Sequence, residues 1–141
     1  MADEAFPIRC RIPVQWGEMD ALGHVNNTRF FAWMEAARIE YVARAGVRAD
    51  AEGVGPILAS ITCDFLRPVV YPAEVEVGVR AIAIGTTSVT MEYALTLVAD
   101  GSLVARGRSV IVLVRYATGT KTAVPANVRL TIERLEGRSF G

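Results

Sequence analysis

A long, unusually apolar segment constrains the fold of this chain more than any other feature. Over residues 28–45, apolar side chains recur every three or four positions and cover far more than one narrow helical stripe. These side chains are Phe30, Phe31, Trp33, Met34, Ala37, Tyr41, Val42 and Ala45. Asn26 or Asn27 can cap the first turn, and Gly46 stands where a left-handed C-terminal cap belongs. The pattern predicts a helix that is buried on most of its sides.

Segments of alternating polarity flank this helix and predict an antiparallel sheet. The predicted strands cover residues 8–16, 57–66, 73–84, 86–98 and 103–115. The fourth strand alternates most regularly, because every second residue from 89 to 97 is apolar. Short turns near Gly85 and at Asp100-Gly101 join the last three strands into a meander. Strands of about twelve residues, rising about 3.3 Å per residue, run about 40 Å and are long enough to curl around a helix.

A second, shorter helix is predicted near the C-terminus. Pro125 opens it and Gly137 follows its end. Its apolar side consists of Val128, Ile132 and Leu135, which can cover part of the sheet. With 141 residues, of which 52% are hydrophobic, the chain is expected to form one domain over residues 1–141. The predicted class is α+β, with a long central helix wrapped by a curved antiparallel sheet and a loop at residues 47–55.

The charges exclude partners that need a strong overall field. Fifteen basic and fifteen acidic side chains give a formal net charge of zero, so nothing draws the chain to nucleic acid or to an anionic membrane. Glu35, Arg38, Glu40 and Arg44 also interrupt the apolar segment, so it is no membrane span. Residues 1–4 are acidic and lack the basic start of a secretory signal. We expect a cytoplasmic protein with neither a nucleic-acid nor a membrane partner.

Thiol and metal chemistry have little support in the sequence. Cys10 and Cys63 lie on predicted strands, where we expect reduced, half-buried thiols rather than a disulfide. His24 is the single histidine, and neither a CxxC nor an HExxH spacing occurs. Nucleophile-elbow, phosphate-loop and dinucleotide-binding motifs do not occur either. We therefore expect no metal and no organic cofactor.

The polar segment between the first strand and the long helix, residues 16–27, is the candidate for chemistry. Asp20, held in a turn just before a helix, can act as a base or a nucleophile. Backbone N–H groups at the helix start can stabilise an oxyanion, and acyl transfer needs both parts. The alternative interpretation is structural, with Asp20 capping the turn and the two asparagines capping the helix.

Three motifs mark this segment and its surroundings: D-x-x-G-H-V-N-N at residues 20–27, E-x-x-R at residues 35–38 and F-L-R-P at residues 65–68. With them, the chain resembles the hot-dog-fold acyl-CoA thioesterases of the 4-hydroxybenzoyl-CoA thioesterase type. The order of strands and helices fits the resemblance over essentially the whole chain. It implies a hot-dog fold, hydrolysis of an acyl-CoA thioester to free acid and CoA, and a homodimer or homotetramer with sites between protomers.

The resemblance also implies catalytic roles. Asp20 is the catalytic carboxylate, acting either as nucleophile or as general base on water. The backbone N–H of Asn27 polarises the thioester carbonyl. His24, four residues after Asp20, can orient the carboxylate or the water, since neutral imidazole both donates and accepts; a structural histidine in the turn is the alternative.

Asn26, Phe30 and Arg67 are the predicted substrate-binding residues. Phe30 stands where many relatives carry tyrosine and lies nearest the turn, so it is expected to line the acyl pocket. Arg67 is a local cation for the phosphates of CoA, with Arg115 and Lys121 as further candidates. Each of these cations can also be an ordinary solvated surface charge.

Two further alternatives remain at this stage. Glu35 offers a second carboxylate, which some hot-dog thioesterases use for catalysis, but Arg38 lies three residues on and can pair with it. The function itself also has alternatives: a non-catalytic module that binds acyl-CoA or an acyl carrier protein, or a thioesterase acting on the carrier protein. Nothing in the sequence separates the two acyl donors.

Overall fold

A curved antiparallel sheet wraps around one long helix in the computed structural model, which describes residues 6–47 and 53–141. The strands are β1 (Ile8–Pro13), β2 (Val54–Phe65), β3 (Glu74–Ile84), β4 (Ser88–Leu97), β5 (Leu103–Arg115) and β6 (Thr120–Lys121). The helices are α1 (Asn27–Arg44) and α2 (Ala126–Glu136), and a short 3₁₀ turn spans Trp16–Glu18. This is the predicted α+β arrangement.

The sheet order is β1-β3-β4-β5-β2, with β6 paired to the end of β5. The predicted meander of β3, β4 and β5 is confirmed, and all of these pairings are antiparallel. β1 lies against β3, with Ile8 opposite Val79, and β2 lies against β5, with Cys63 opposite Gly107. β1 and β2 are therefore the two edges of the described sheet.

The long helix begins and ends where its caps predict. Asn26 is the N-cap, and its side chain accepts a hydrogen bond from the Thr28 N–H. Gly46 follows the last turn with a φ of +88°. The buried face of α1 carries Phe30, Trp33, Met34, Ala37, Arg38, Tyr41 and Val42.

The prediction that α1 is buried on most sides is too broad. One wide face packs on the sheet, whereas Ala32, Ala36, Ile39 and Ala43 on the other side are exposed. Of the eight apolar side chains behind the prediction, seven are buried and Phe31 is partly buried, so the pattern marked one wide face and not the whole circumference of the helix.

A close approach between α1 and β5 sets how tightly the sheet curves around the helix. The sulfur of Met34, which is fully buried, lies where a Cβ at position 107 would project. Glycine at this position of β5 leaves room for that side chain. A larger residue at 107 would overlap the Met34 side chain, so that side chain or the helix that carries it would have to shift.

Several element boundaries differ from the sequence prediction. β1 ends at Pro13 rather than at residue 16, because the following residues form the 3₁₀ turn. β2 begins at Val54 and includes Pro56, which an edge strand tolerates since only one of its sides needs hydrogen bonds. β6 was not predicted. The predicted loop at residues 47–55 falls mainly on residues 48–52, which lie outside the described residues.

The remaining elements agree with their sequence signals. α2 has Pro125 at its N-cap and Gly137, with a φ of +70°, after its end. Cys10 and Cys63 are free and half-buried on β1 and β2. Within residues 6–47 and 53–141, neither helix combines the length and the apolar character that crossing a membrane would need.

Candidate active site

The segment between β1 and α1 forms a tight hairpin held by backbone hydrogen bonds. At its base, the Asn26 N–H donates to the Glu18 carbonyl over 3.0 Å. Higher up, the Asp20 N–H donates to the His24 carbonyl over 2.8 Å, and Gly23 closes the tip with a φ of +85°. Asp20 and His24 thus lie opposite each other, a few residues ahead of the helix.

One pocket of about 370 Å³, which we call the Asp20 pocket, is lined by the three predicted catalytic residues and the three predicted substrate-binding residues. The further candidate cations Arg115 and Lys121 do not line it. Its walls are the hairpin, the first turn of α1 and the segment that follows β2. The lining consists of Asp20, Leu22, His24, Val25, Asn26, Asn27, Phe30, Phe65, Leu66, Arg67 and Pro68. Arg67, some forty residues from the others along the chain, reaches the pocket because β2 ends beside the start of α1.

The carboxylate of Asp20 is half-buried and oriented by the backbone. One of its oxygens, Oδ1, accepts a hydrogen bond of 2.9 Å from the Leu22 N–H. The other oxygen has no protein donor among the described residues. Asp20 therefore caps the turn, as the structural interpretation held, and still presents an oxygen that can take a proton or attack a carbonyl carbon.

The imidazole of His24 is exposed at the pocket and takes no part in orienting Asp20. The link between the two residues is the backbone hydrogen bond from Asp20 to the His24 carbonyl. Within the described part of the chain, the imidazole has no hydrogen bond to the carboxylate.

Asn26 leaves one N–H of the first helical turn available. Its side chain accepts from the Thr28 N–H at 2.9 Å, and its carbonyl accepts from the Arg29 N–H at 2.9 Å. The N–H of Asn27, the residue between Asn26 and Thr28, has no acceptor among the described residues. An N–H at this position carries part of the positive end of the helix dipole. The arrangement can therefore donate to an oxygen that gains negative charge in the pocket.

The apolar part of the Asp20 pocket is built from aromatic rings. Phe30 is almost fully buried and meets Phe65 edge to face, with ring centroids 5.2 Å apart. Trp33 packs on the other side of Phe30 at 4.9 Å. Arg67 is exposed at the rim, where its backbone N–H donates to the Val104 carbonyl. The pocket thus combines an apolar floor with a cation at its mouth.

Glu35 does not reach the Asp20 pocket of its own chain. It pairs with Arg38, as the sequence predicts, although the two charged groups are 4.0 Å apart. Both residues line a second, apolar groove of about 470 Å³ between α1 and β2. Arg38 is buried although it is charged. Its guanidinium is stabilised there by donating a hydrogen bond of 3.3 Å to the hydroxyl of Tyr93. That hydroxyl is within 2.7 Å of the Ser109 hydroxyl, which completes a buried polar network.

One residue of the hairpin escaped the sequence analysis. Glu18 uses both carboxylate oxygens, one toward the Gln15 N–H and one toward the indole N–H of Trp33. The signal that could have found it is the spacing of a capping box, since Glu18 follows the cap residue Gln15 by three positions. Its contact with Trp33 has no counterpart in local sequence.

Residues 14–132 match the Thioesterase-like superfamily. The chain belongs to this superfamily. A thioesterase from Thermus thermophilus, solved in complex with coenzyme A and zinc, is 36% identical and superposes with a TM-score of 0.85. The similarity covers 96% of this chain and 98% of that one. The PA2801 protein of Pseudomonas aeruginosa is 35% identical, covers 91% of this chain and 99% of its own, and has a TM-score of 0.83.

The curated relative YsmA of Bacillus subtilis (strain 168) is 30% identical over 89 residues. That match spans 63% of this superfamily member and 60% of YsmA, less than two thirds of either chain. The superfamily match and the solved structures confirm the resemblance to thioesterases, and the hot-dog fold is confirmed by the superpositions. The predicted enzyme class, thioester hydrolase, agrees with the names of these structures.

Metal-binding side chains do not gather in the described parts of the chain. In residues 6–47 and 53–141, no group of three or more His, Cys, Asp and Glu side chains lies close enough to hold an ion.

Proposed function

We propose that this protein hydrolyses an acyl-CoA thioester to a free carboxylic acid and CoA. The observation that carries the proposal is a half-buried carboxylate, that of Asp20, in the same pocket as the Asn27 N–H, which has no acceptor among the described residues. Thioester hydrolysis needs a group that activates water or attacks the carbonyl carbon, and a donor for the oxyanion. The family relationship supports the same substrate class, because a related thioesterase was solved with coenzyme A.

In the proposed mechanism, the thioester oxygen accepts a hydrogen bond from the Asn27 N–H, and the start of α1 stabilises the negative charge that develops. Asp20 acts in one of two ways. As a general base, it removes a proton from water while the water oxygen attacks the carbonyl carbon. As a nucleophile, it forms an anhydride that water then hydrolyses. In both cases the C–S bond breaks, and the CoA thiolate takes up a proton.

The other pocket residues have binding roles in this proposal. Phe30 and its edge-to-face partner Phe65 pack against the acyl group and keep bulk water from the thioester. Arg67 at the rim meets a phosphate of CoA, and Asn26 holds the helix start at the reacting carbonyl. His24 orients the attacking water with its exposed imidazole.

The test is thiol release from a panel of acyl-CoAs by wild type, Asp20→Asn and a matched control. Asp100→Asn is that control, because Asp100 Oδ1 accepts from the Ser102 N–H at 2.9 Å in the same kind of turn and Asp100 does not line the Asp20 pocket. The charge of Asp100 acts on Arg67 at the rim, so the two variants are compared by kcat at saturating substrate and not by KM. We expect Asp20→Asn to lower kcat by about 10²–10⁴-fold, as for a positioned acid–base group. The Asp100→Asn variant should keep the wild-type kcat.

Other outcomes assign the protein differently. Binding of acyl-CoA without thiol release would point to a binding module, and release from acylated carrier protein alone would point to that donor. Single-turnover hydrolysis in ¹⁸O-labelled water tests the two roles of Asp20, and label in the Asp20 carboxylate marks the nucleophile. Label in the product acid alone fits a general base or an anhydride that water opens at its acyl carbon. Mass spectrometry of the rapidly quenched enzyme separates these two, because only the nucleophile carries a covalent acyl group on Asp20.

We also propose that the protein is a homodimer or homotetramer. β2 is an edge strand of the described sheet, and Ile57 and Leu58 on it are exposed large apolar residues. A long edge of this kind favours pairing with or covering by another chain. Light scattering at micromolar concentration should give two or four times the chain mass of 15.3 kDa. A mass of one chain would contradict an active site shared between protomers.

A further inference from the structure

We propose that Glu18 is a positioning residue that holds Asp20 and the Asn27 N–H in one fixed relation. This inference rests on the proposed function, because it assigns a catalytic consequence to a contact outside the Asp20 pocket. Glu18 does not line that pocket and touches neither a substrate atom nor the Asp20 carboxylate among the contacts of the described residues. It acts through the backbone that carries the two catalytic groups.

The carboxylate of Glu18 joins two elements that meet at the site. Its Oε1 accepts from the Gln15 N–H at 2.7 Å, at the start of the 3₁₀ turn. Its Oε2 accepts from the indole N–H of Trp33 at 3.0 Å, in the second turn of α1. A single side chain therefore ties the segment before the hairpin to the helix after it.

The hydrogen bond between Glu18 and the Trp33 indole constrains the position of the Glu18 side chain. Trp33 is only 3% exposed, so its indole N–H has no access to bulk water and needs a protein acceptor. A carboxylate gives a stronger, shorter hydrogen bond than a neutral acceptor. The position of Glu18 relative to α1 is therefore closely defined.

The backbone of Glu18 connects this constrained side chain to the residues of the Asp20 pocket. Its carbonyl accepts the Asn26 N–H at 3.0 Å, which fixes the residue that caps α1 and precedes Asn27. Two residues after Glu18 comes Asp20, on the same arm of the hairpin. A displacement of Glu18 would shift the carboxylate and the helix start relative to each other. Misplacement by about 1 Å can cost on the order of 100-fold in rate.

The experiment compares Glu18→Gln with a matched carboxylate elsewhere. Glutamine keeps the length of the side chain, but its single carbonyl oxygen can satisfy only one of the two donors. Glu133→Gln on α2 is the control, because Glu133 also accepts a backbone N–H, that of Phe140, at 2.8 Å and lies outside the pocket. Both variants lose one negative charge, but only Glu18→Gln must lose a contact, because a single oxygen of Glu133 accepts from both of its donors.

We expect Glu18→Gln to lower kcat by about 10- to 100-fold with KM changed less than about threefold. Glu133→Gln should keep the wild-type kcat, and its loss in Tm should be no larger than that of Glu18→Gln. Trp33→Phe, which removes the indole donor, should lower kcat similarly, and combining it with Glu18→Gln should add little further loss. Wild-type kcat in Glu18→Gln, or a change confined to Tm, would overturn the proposal.

Amide hydrogen exchange tests the same idea without turnover. In Glu18→Gln, the amides of Asn26 and Asp20 should exchange about tenfold faster than in wild type, with α2 amides unchanged. Unchanged exchange at both amides would overturn the positioning role whether or not the protein is active. If the wild type hydrolyses no thioester while the exchange changes as expected, the proposed function fails and the structural link through Glu18 stands.

Discussion

Asn26 accepts two hydrogen bonds from Thr28, one from its backbone N–H at 2.9 Å and one from its hydroxyl at 2.7 Å. This double contact fixes the cap of α1 and leaves the Asn27 N–H to the pocket. The side chain of Asn26 thus has a structural role. In the proposed mechanism Asn26 also has a functional role, because it leaves the Asn27 N–H available to the substrate.

Substitution of Asn26 can separate these two contributions. Asn26→Asp keeps the acceptor and should change the free energy of unfolding by less than about 0.5 kcal/mol, whereas Asn26→Ala should cost about 0.5–2 kcal/mol. The aspartate places a negative charge beside the developing oxyanion, so we expect kcat to fall at least about tenfold. Urea denaturation and thiol-release assays measure the two effects. Full kcat in Asn26→Asp would argue against an oxyanion at the Asn27 N–H.

Enlarging Gly107 should destabilise the fold. The Cβ of an alanine there would overlap the Met34 sulfur, which is enclosed on all sides. Overpacking of this kind costs about 1–3 kcal/mol. Gly17→Ala is the control, because no atom lies within 4 Å of the Cβ position at Gly17. Denaturation that shows equal stability for both variants would mean that α1 can move away from β5 at little cost.

The hydroxyl of Tyr41 should contribute more to stability than that of Tyr116. Tyr41 is fully buried and donates to Glu136, which also accepts the Ala81 N–H and so joins α2 to β3. Tyr41→Phe should lower the free energy of unfolding by about 1–3 kcal/mol, as for a hydrogen bond to a charged group. Tyr116→Phe, which removes an exposed hydroxyl bonded to the Pro56 carbonyl, should cost less than about 1 kcal/mol. Chemical denaturation compares the two, and equal losses would contradict this ranking.

The stability of the protein should fall in alkaline solution partly because of Cys63. Burial, with a smaller effect of Asp64, raises the pKa of this thiol from 9.0 to about 11. The unfolded chain therefore loses the proton first, and the stabilisation present below pH 9 is lost as the pH rises toward 11. In Cys63→Ala, the slope of Tm against pH should be shallower over this range. An unchanged slope would show that the thiol titrates alike in both states.

The local sequence pattern predicts the helices and strands, but it does not predict which strands pair with each other. The prediction for residues 103–115 coincides with β5, and α1 begins one residue before the predicted start. The pairing of β1 with β3 and of β2 with β5 joins segments far apart in the chain. Alternation identifies the buried face of a strand, but it does not say which strand lies beside it.

In the candidate site, too, some features could be predicted from the local sequence and others could not. Asp20, Asn27 and Phe30 belong to one short segment, so their common location could be predicted from the hairpin and the helix start. The contact of Trp33 with Glu18 and the burial of Arg38 against Tyr93 depend on how α1 lies in the sheet. No local spacing encodes either of them.

The hairpin between β1 and α1 contains a backbone with a fixed shape and one side chain, Leu22, on which that shape does not depend. Backbone hydrogen bonds at Asp20 and at the hairpin base hold its shape, whereas Leu22 at the tip is 83% exposed and still forms part of the pocket wall. The side chain at position 22 can therefore change the shape of the pocket wall, while the backbone hydrogen bonds that place Asp20 against the start of α1 stay the same.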